Sequence, residues 1–166
     1  MKNLKNLLKT PLNLANLPKY IPILIIVFAF IGFADATYLT VKHYQNVIPP
    51  CTIGGCESVL SSVYAEVFGI PVALFGAVYY LIILLLTFIF IDTKREIFLR
   101  IALLLSVIGL LSSIWFSFLQ IFIIKAFCLY CALSAVTSVS IFIISLYVFK
   151  RCRYREIENN LESNIY

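Results

Sequence analysis

FCLYCALSAVTSVSIFIISLYVF, at residues 127–149, joins a Cys-x-x-Cys pair to a long run without charged residues. A helix of this length crosses the ~30 Å hydrocarbon core of a bilayer. Cys128 and Cys131 are three positions apart, so on a helix they share one face and can form a disulfide or a dithiol. In a first helical turn, unpaired N–H groups and the helix dipole favour the thiolate. The stretch therefore predicts a membrane span with a redox pair at its mouth.

The composition of the whole chain is that of a membrane protein. Of its 166 residues, 62% are hydrophobic and only 13% are charged, a balance too apolar for a soluble domain of this size. We therefore predict an all-α membrane protein, a four-transmembrane-helix bundle over residues 20–149. The predicted spans cover residues 20–41, 72–91, 97–123 and 127–149.

One long outer loop, residues 44–70, separates the first two spans and carries a second cysteine pair, Cys51 and Cys56. After that pair, apolar side chains recur at helical spacing over residues 57–68. This stretch is too short to span a bilayer and predicts a half-helix that packs onto the bundle. Two adjacent glycines between the cysteines indicate conformational freedom in this part of the loop.

Positive charge orients the predicted bundle. Eleven of the thirteen Lys and Arg fall in residues 1–19, in the turn region 94–100 and in the tail, residues 150–166. Because cytoplasmic segments are enriched in Lys and Arg, we expect a multi-pass cell-membrane protein with both termini in the cytoplasm. Both cysteine pairs then lie on the outer face, and Cys152 lies alone on the inner one. No basic stripe is interleaved with aromatic residues, so we expect no nucleic-acid partner.

Four outer cysteines allow three interpretations. Static disulfides are disfavoured, because a bridge between Cys128 and Cys131 closes a very short loop and adds little chain-entropy stabilisation. Four thiolates could also hold zinc, but the one histidine in the chain, His43, is better explained as an interfacial residue, and we predict no metal. Redox chemistry is favoured, because Cys-x-x-Cys is typical of redox-active dithiols. The predicted catalytic residues are Cys51, Cys56, Cys128 and Cys131.

Electrons from a thiol pair at a membrane edge need an acceptor. The chain shows no flavin, haem or nicotinamide motif, so the predicted cofactor is a lipid-soluble quinone of the ubiquinone or menaquinone type. The Ser62 hydroxyl could donate a hydrogen bond to a carbonyl group of such a ring. The aromatic side chains predicted to line the pocket are Phe68, Phe75, Tyr79, Tyr80, Phe127 and Tyr130.

Asp35 places a carboxyl group inside the first predicted span. A charge at membrane depth is costly, so such a residue usually faces the protein interior or lies near an interface. Lys42 and His43 follow within about two turns and indicate a position near the far boundary of the span. Structural pairing and a direct functional role are both open for Asp35.

Four motifs follow one another along the chain. They are IGFADATYLT at residues 31–40, CESVLSS at residues 56–62, FGIPVALFG at residues 68–76 and FCLYC at residues 127–131. Together they resemble the vitamin K epoxide reductase family, specifically its prokaryotic branch, over residues 31–135. A second group of bacterial disulfide oxidases also has four spans and four cysteines but carries Cys-x-x-Cys first. The reversed order in this chain favours the vitamin K epoxide reductase family.

The resemblance implies a four-helix bundle around a quinone, capped by the half-helix. It implies that Cys51 exchanges with a thioredoxin-like extracytoplasmic oxidoreductase in trans. The other expected partners are the membrane lipid around the bundle and the quinone. It further implies that Cys56 exchanges with Cys128, and that Cys131 contacts the quinone and passes electrons to it. Ser62 matches a serine of the family. The implied activity is that of a membrane thiol:quinone oxidoreductase that generates disulfides.

Two departures from the family pattern keep alternatives open. Only four residues separate Cys51 from Cys56, and Val72 and Ala135 stand where animal members carry a quinone-binding Asn and Tyr. The alternative within catalysis is a thiol-driven reduction of a quinone or a quinone epoxide. The alternative outside catalysis is a structural or zinc-binding membrane protein.

Overall fold

The computed structural model of the chain describes residues 18–51 and 55–163. Most of the predicted basic segment, residues 1–19, lies outside the described residues, as do Gly54 and the last residues of the tail. The side chain of Cys152 also lies outside the described part of the chain. The bundle and both cysteine pairs, Cys51 with Cys56 and Cys128 with Cys131, lie within it.

Four long helices make up most of the structure. The helices are α1 (Tyr20–Tyr44), a short α2 (Cys56–Leu60), α3 (Val72–Thr93), α4 (Glu96–Phe118), a π-helical segment (Leu119–Ile124) that continues α4, and α5 (Leu129–Ser163). The four long ones are long and apolar enough to cross a membrane, which confirms the predicted all-α, four-span membrane bundle. α5 begins two residues later than the predicted fourth span, so Cys128 precedes the helix.

Residues with left-handed backbone angles end two of the spans. Lys94, with φ 55°, follows α3, and its N–H donates to the Phe90 carbonyl oxygen at 2.9 Å. Lys125, with φ 54°, follows the π-helical segment. A left-handed residue after a helix turns the chain away from the helix axis. The connections into α4 and α5 are therefore short, which keeps sequential helices side by side.

Tyr80 ties three of the long helices together. Its ring is buried and lies so close to Gly32 of α1 that no side chain fits at that position. Its hydroxyl oxygen lies 2.8 Å from the hydroxyl oxygens of Thr137 and Ser138 on α5, and it donates to the Ser134 carbonyl oxygen at 2.7 Å. Buried polar groups need such partners. These bonds stabilise the packing of α3 against α5 and occupy the Tyr80 hydroxyl.

The loop between α1 and α3 forms a compact cap, residues 55–71, on one end of the bundle. Its helix α2 ends at Leu60, and a two-stranded antiparallel hairpin follows, with β1 at Glu66–Val67 and β2 at Ile70–Pro71. The prediction of a helix over residues 57–68 is therefore wrong beyond Leu60. The apolar spacing of this segment serves a turn and a hairpin instead.

Local chemistry explains why α2 stops early. The Ser61 hydroxyl donates to the Glu57 carbonyl oxygen at 2.6 Å, and the Ser62 hydroxyl donates to the Val59 carbonyl oxygen at 2.7 Å. Such side-chain bonds compete with the helical ladder. Phe68 and Gly69 then adopt φ angles of 55° and 76°, and two positive φ values in succession are typical of the tight turn of a β-hairpin.

The cap is attached to the bundle at several points. The Val72 N–H at the start of α3 donates to the Ala65 carbonyl oxygen at 2.9 Å. His43 Nε2, near the end of α1, lies 3.2 Å from Glu66 Oε1. These contacts hold the cap over the end of the bundle where α1 ends and α3 begins.

Candidate functional site

The structure brings the two cysteine pairs together at the capped end of the bundle. Cys51 and Cys56 form a disulfide, whereas Cys128 and Cys131 are free thiols. Cys56 and Cys128 are both fully buried and belong, with Val59, to one apolar cluster. Cys51 and Cys131 are partly buried and pack against this cluster. All four predicted catalytic cysteines therefore lie at one site, and their individual roles stay predictions.

Gly55 is the residue that lets the loop approach the Cys-x-x-Cys pair. Its φ of +99° is a backbone conformation that side chains disfavour. A Cβ atom at this position would lie 3.0 Å from the Phe127 carbonyl oxygen and 3.1 Å from the Phe127 nitrogen. The backbone before Cys56 thus packs directly on the backbone before Cys128. The sequence indicated freedom at this position, and the structure shows close packing.

Cys128 occupies the N-cap of α5. Its carbonyl oxygen accepts the first helical hydrogen bond, from the Ala132 N–H at 3.0 Å. Its own N–H donates to Gln120 Oε1 at 3.2 Å. Gln120 is buried and sits in the π-helical segment, a distortion that is frequent at functional sites. Sequence reasoning missed Gln120, although a lone amide within an apolar span was a usable signal.

The surroundings of Cys128 favour its thiolate. A hydrogen bond from the Cys131 thiol lowers the pKa of Cys128 from 9.0 to about 6. Burial opposes this shift, and the backbone N–H groups of Cys131 and Tyr130 add to it. The backbone N–H groups at the helix N-terminus thus contribute to the shift, but less than the Cys131 thiol does. Within the pair, the Cys131 thiol donates the hydrogen bond and the Cys128 sulfur accepts it.

A cavity of about 330 Å³ lies beneath the cap and between the long helices. It is lined by five of the six residues predicted to bind the cofactor: Ser62, Phe75, Tyr79, Tyr80 and Cys131. Of the four predicted catalytic cysteines, Cys131 is the one on the cavity wall. The Cys-x-x-Cys pair thus separates two sides, with Cys128 toward Cys56 and Cys131 toward the cavity.

Phe68 is the predicted cofactor residue that does not line the cavity. It is 100% exposed at the turn of the hairpin, because its positive φ belongs to a turn that projects away from the bundle. Phe127 and Tyr130 are also absent from the cavity wall. The Tyr130 hydroxyl instead donates to the Pro50 carbonyl oxygen at 3.1 Å, beside Cys51.

Two buried polar atoms on the cavity wall have no hydrogen-bond partner within residues 18–51 and 55–163: Asp35 Oδ2 and the Tyr79 hydroxyl oxygen. An apolar cavity of this size with unsatisfied polar groups suits a flat ring that carries carbonyl groups. The residues present therefore fit a quinone. Asp35 and Tyr79 would hold its oxygens and Phe75 would pack against its ring. Among the described residues, no group of three or more His, Cys, Asp or Glu could hold a metal ion.

The fold and the site define a multi-pass helical membrane protein with a cysteine-based redox centre. The sequence model of the Vitamin K epoxide reductase family matches residues 23–146, most of the chain, and the chain belongs to this family. Its members are membrane oxidoreductases that use quinones. Membership of the prokaryotic branch stays a prediction. No curated protein matches the chain in a sequence search.

Proposed function

We propose that the protein is a quinone-dependent thiol oxidase that makes disulfides for a thioredoxin-like protein outside the cytoplasm. One observation carries the proposal: the buried contact between the two cysteine pairs, with Cys131 alone among the four on the cavity wall. This order allows electrons to pass from the cap to the cavity. The orientation proposed with it places both termini in the cytoplasm, as the distribution of Lys and Arg favours.

The first exchange takes place at the cap. A thiolate of the reduced partner attacks Cys51 Sγ, because Cys51 is partly exposed whereas Cys56 is fully buried. The Cys51–Cys56 bond breaks and Cys56 leaves as a thiolate. The second partner thiolate then attacks its own mixed disulfide, which releases the Cys51 thiolate and leaves the partner with a new disulfide.

The second exchange is internal. The Cys56 thiolate attacks Cys128 Sγ of a Cys128–Cys131 disulfide, and Cys131 leaves as the new thiolate. Cys51 next attacks Cys56 Sγ, which remakes the Cys51–Cys56 disulfide and releases Cys128. A thiol with a low pKa is a good leaving group, so the helix N-cap that stabilises the Cys128 thiolate favours this release. The structure, with one disulfide and one dithiol, matches the state after this exchange.

The bound quinone would supply a two-electron acceptor for the Cys128–Cys131 dithiol. Cys131 lies on the cavity wall, Phe75 and Tyr79 would orient the ring, and the cap would limit the access of water to it. Oxidation would then form the Cys128–Cys131 bond, and the proton of the Cys131 thiol would leave with the two electrons. The net direction is set by the higher potential of the quinone.

Reduction of a quinone epoxide is the second candidate within catalysis. Val72 and Ala135, at the positions where the animal relatives carry Asn and Tyr, both line the cavity. Neither side chain can donate a hydrogen bond, so the wall lacks polar groups at both places. This observation favours the oxidase over the epoxide reductase.

Quinone reduction by the purified protein tests the proposal. A reduced thioredoxin-like dithiol protein is the electron donor, and ubiquinone and menaquinone analogues are the acceptors. We expect turnover in the wild type and in a Cys152→Ala control, and loss of donor-driven turnover in Cys51→Ala. Full turnover in Cys51→Ala would contradict the proposed entry point. No wild-type turnover with either quinone would contradict the function itself.

A further inference from the structure

The carboxyl group of Asp35 takes no part in the proposed thiol exchanges. It nevertheless lies on the same cavity wall as Cys131, the last cysteine in that sequence. It is only 8% exposed in the middle of α1, and its Oδ2 has no hydrogen-bond partner among the described residues. Burying an unpartnered carboxyl group in an apolar span is costly. Such a group at membrane depth marks a site that acts on a ligand or on protons.

The neighbours of Asp35 place it beside the redox pair. It shares the cavity wall with Cys131, and it lies close enough to Cys128 for the charges of the two groups to interact. The other ionisable side chains on the described wall are His43, Tyr64, Tyr79, Tyr80 and Cys131. Asp35 is thus the one carboxyl group that the described residues contribute to this wall.

Structural pairing does not account for Asp35. Lys42, its nearest cation in the sequence, lies over the Tyr38 ring at 5.7 Å from the ring centre. The buried Thr40 hydroxyl on the same helix donates to the Ala36 carbonyl oxygen at 2.7 Å. His43 is occupied by Glu66 at 3.2 Å. Three polar side chains that follow Asp35 on α1, those of Thr40, Lys42 and His43, therefore have other partners.

We propose that Asp35 is the proton-transfer residue of the cavity. The proposal rests on the proposed function, since it concerns a quinone that accepts electrons from Cys128 and Cys131. The protonated Asp35 carboxyl donates its proton to a quinone carbonyl oxygen, and the resulting carboxylate takes the proton of the Cys131 thiol. The Cys128 thiolate and the Cys131 thiol lose two electrons and one proton as their disulfide forms. A bound quinone would take the two electrons, the Cys131 proton by way of Asp35 and a second proton from water, which together give the hydroquinone. Asp35 returns to its starting state.

The chemistry explains why a carboxyl group belongs at this position. A quinone gains electrons readily only when protons reach its oxygens, and an apolar cavity holds few donors. The Tyr80 hydroxyl is committed to α5 by its hydrogen bonds. A positioned acid or base accelerates such a step by roughly 10²–10⁴-fold. Asp35 supplies one that can both give and accept a proton.

The test uses Asp35→Asn, which keeps the shape of the side chain but cannot carry a proton. Thr37→Val is the matched control, because Thr37 lies two residues away on α1 with a buried hydroxyl that also lacks a partner in the described part of the chain. Thr37 does not line the cavity. Asp35→Glu tests rescue by a carboxyl group. Each full-length variant is purified in detergent with the same donor and quinone analogues.

Three quantities are measured for each variant. The first is the rate of quinone reduction. The second is quinone affinity, from quenching of the fluorescence of Trp115, the one tryptophan of the chain. The third is the infrared carbonyl band of a protonated carboxyl group, in the difference spectrum between the dithiol and disulfide forms of the protein. The last two do not depend on turnover.

We expect Asp35→Asn to reduce quinone about 100-fold more slowly, with nearly unchanged affinity, and to lose the carboxyl band. Thr37→Val should behave as the wild type, and Asp35→Glu should recover part of the rate. An Asp35→Asn rate equal to that of the wild type would overturn the proposal, as would a loss of rate explained fully by lost affinity. A wild type that reduces no quinone would instead refute the proposed function, so the two failures are distinguishable.

Discussion

The two cysteine pairs lie side by side but are built differently. Cys51 and Cys56 are bridged, and they belong to a loop and a five-residue helix at the edge of the bundle. Cys128 and Cys131 are free thiols at the start of a 35-residue helix. The first pair presents one partly exposed sulfur, whereas the second presents one sulfur to the first pair and one to the cavity.

The difference suits the two cysteine pairs to different steps. A disulfide on a short cap can meet a partner from outside, because little of the bundle surrounds it. A dithiol at a helix N-terminus gains hydrogen bonds that set which sulfur is ionised. The cap pair, Cys51 and Cys56, is therefore suited to exchange with another protein. The helix pair, Cys128 and Cys131, is suited to direct electrons into the cavity.

Removal of Cys131 should have the largest effect. Cys131→Ala leaves the cap disulfide intact but removes the one redox sulfur on the cavity wall. We expect quinone reduction to be abolished, while one stoichiometric oxidation of the donor dithiol by the Cys51–Cys56 disulfide persists. Stopped-flow absorbance of the quinone and thiol titration of the donor measure the two activities. Normal quinone turnover in this variant would refute the assigned order of the pairs.

The ionisation of Cys128 should depend on its neighbour. In the wild type the thiolate forms as pH rises through about 6, so Cys128 is mostly ionised at neutral pH. Cys131→Ala removes the thiol donor that is the largest cause of this shift, so the pKa should rise toward 9.0. Ultraviolet thiolate absorbance against pH measures it, in a Cys152→Ser background. The same midpoint with and without Cys131 would contradict the assignment.

The contact between Gly55 and Phe127 should be needed to keep the pairs together. In Gly55→Ala, a positive φ and a Cβ 3.0 Å from a backbone oxygen should together lower the free energy of unfolding by about 2 kcal/mol. Internal exchange between Cys56 and Cys128 should slow.

Gly69→Ala is the matched control for this prediction, because Gly69 also has a positive φ but no described atom would lie within 4 Å of its Cβ. Thermal unfolding in detergent and trapping of the Cys56–Cys128 disulfide measure the effects. Equal losses in both variants would show that backbone strain, and not the contact with Phe127, is responsible.

Gln120 should stabilise only the helix pair. Gln120→Leu leaves the buried Cys128 N–H without its acceptor, which should cost about 1–2 kcal/mol. Gln120→Glu retains an acceptor oxygen and serves as the control. Thermal unfolding reports the loss, and single-turnover exchange at the cap disulfide should be unchanged. A slower exchange at Cys51 would mean that Gln120 supports both pairs.

The contact between His43 Nε2 and Glu66 Oε1 should contribute least. Both side chains are partly exposed, so Glu66→Gln should change the free energy of unfolding by less than about 1 kcal/mol. Glu57→Gln on the cap is the control substitution. Thermal unfolding at low and high salt measures the difference. If Glu66→Gln lowered the free energy of unfolding more than Gln120→Leu does, the His43–Glu66 contact would stabilise the cap more than the exposure of its side chains predicts.

Much of the fold could be predicted from the sequence because membrane spans depend on local composition. An apolar run of sufficient length must satisfy its backbone groups as a helix, so the four spans were found with small errors at their ends. The half-helix over residues 57–68 was too long because apolar spacing does not show that Ser61 and Ser62 bond back to the helix, or that Phe68 adopts a positive φ. Hydrophobic period alone cannot separate a short helix from a turn and a hairpin.

The candidate site also has a part that the sequence predicts and a part that only the tertiary structure shows. The cysteines and their order along the chain follow from the sequence alone, because their chemistry is carried by residue type and spacing. Phe68 and Phe75 belong to the same motif, yet only Phe75 lines the cavity. The tertiary structure decided that difference, because burial depends on how the chain folds back on itself.

The sequence by itself therefore determined the class of protein, the four membrane helices and the presence of two cysteine pairs. The tertiary structure decided that Gly55 lies against Phe127, that Gln120 holds Cys128, and that Asp35 shares a cavity with Cys131. Each of these is a contact that packing creates, either between distant parts of the chain or across a distorted helix end. Composition and residue spacing indicate which secondary structure a segment favours. The contacts named above depend instead on which helix faces pack together.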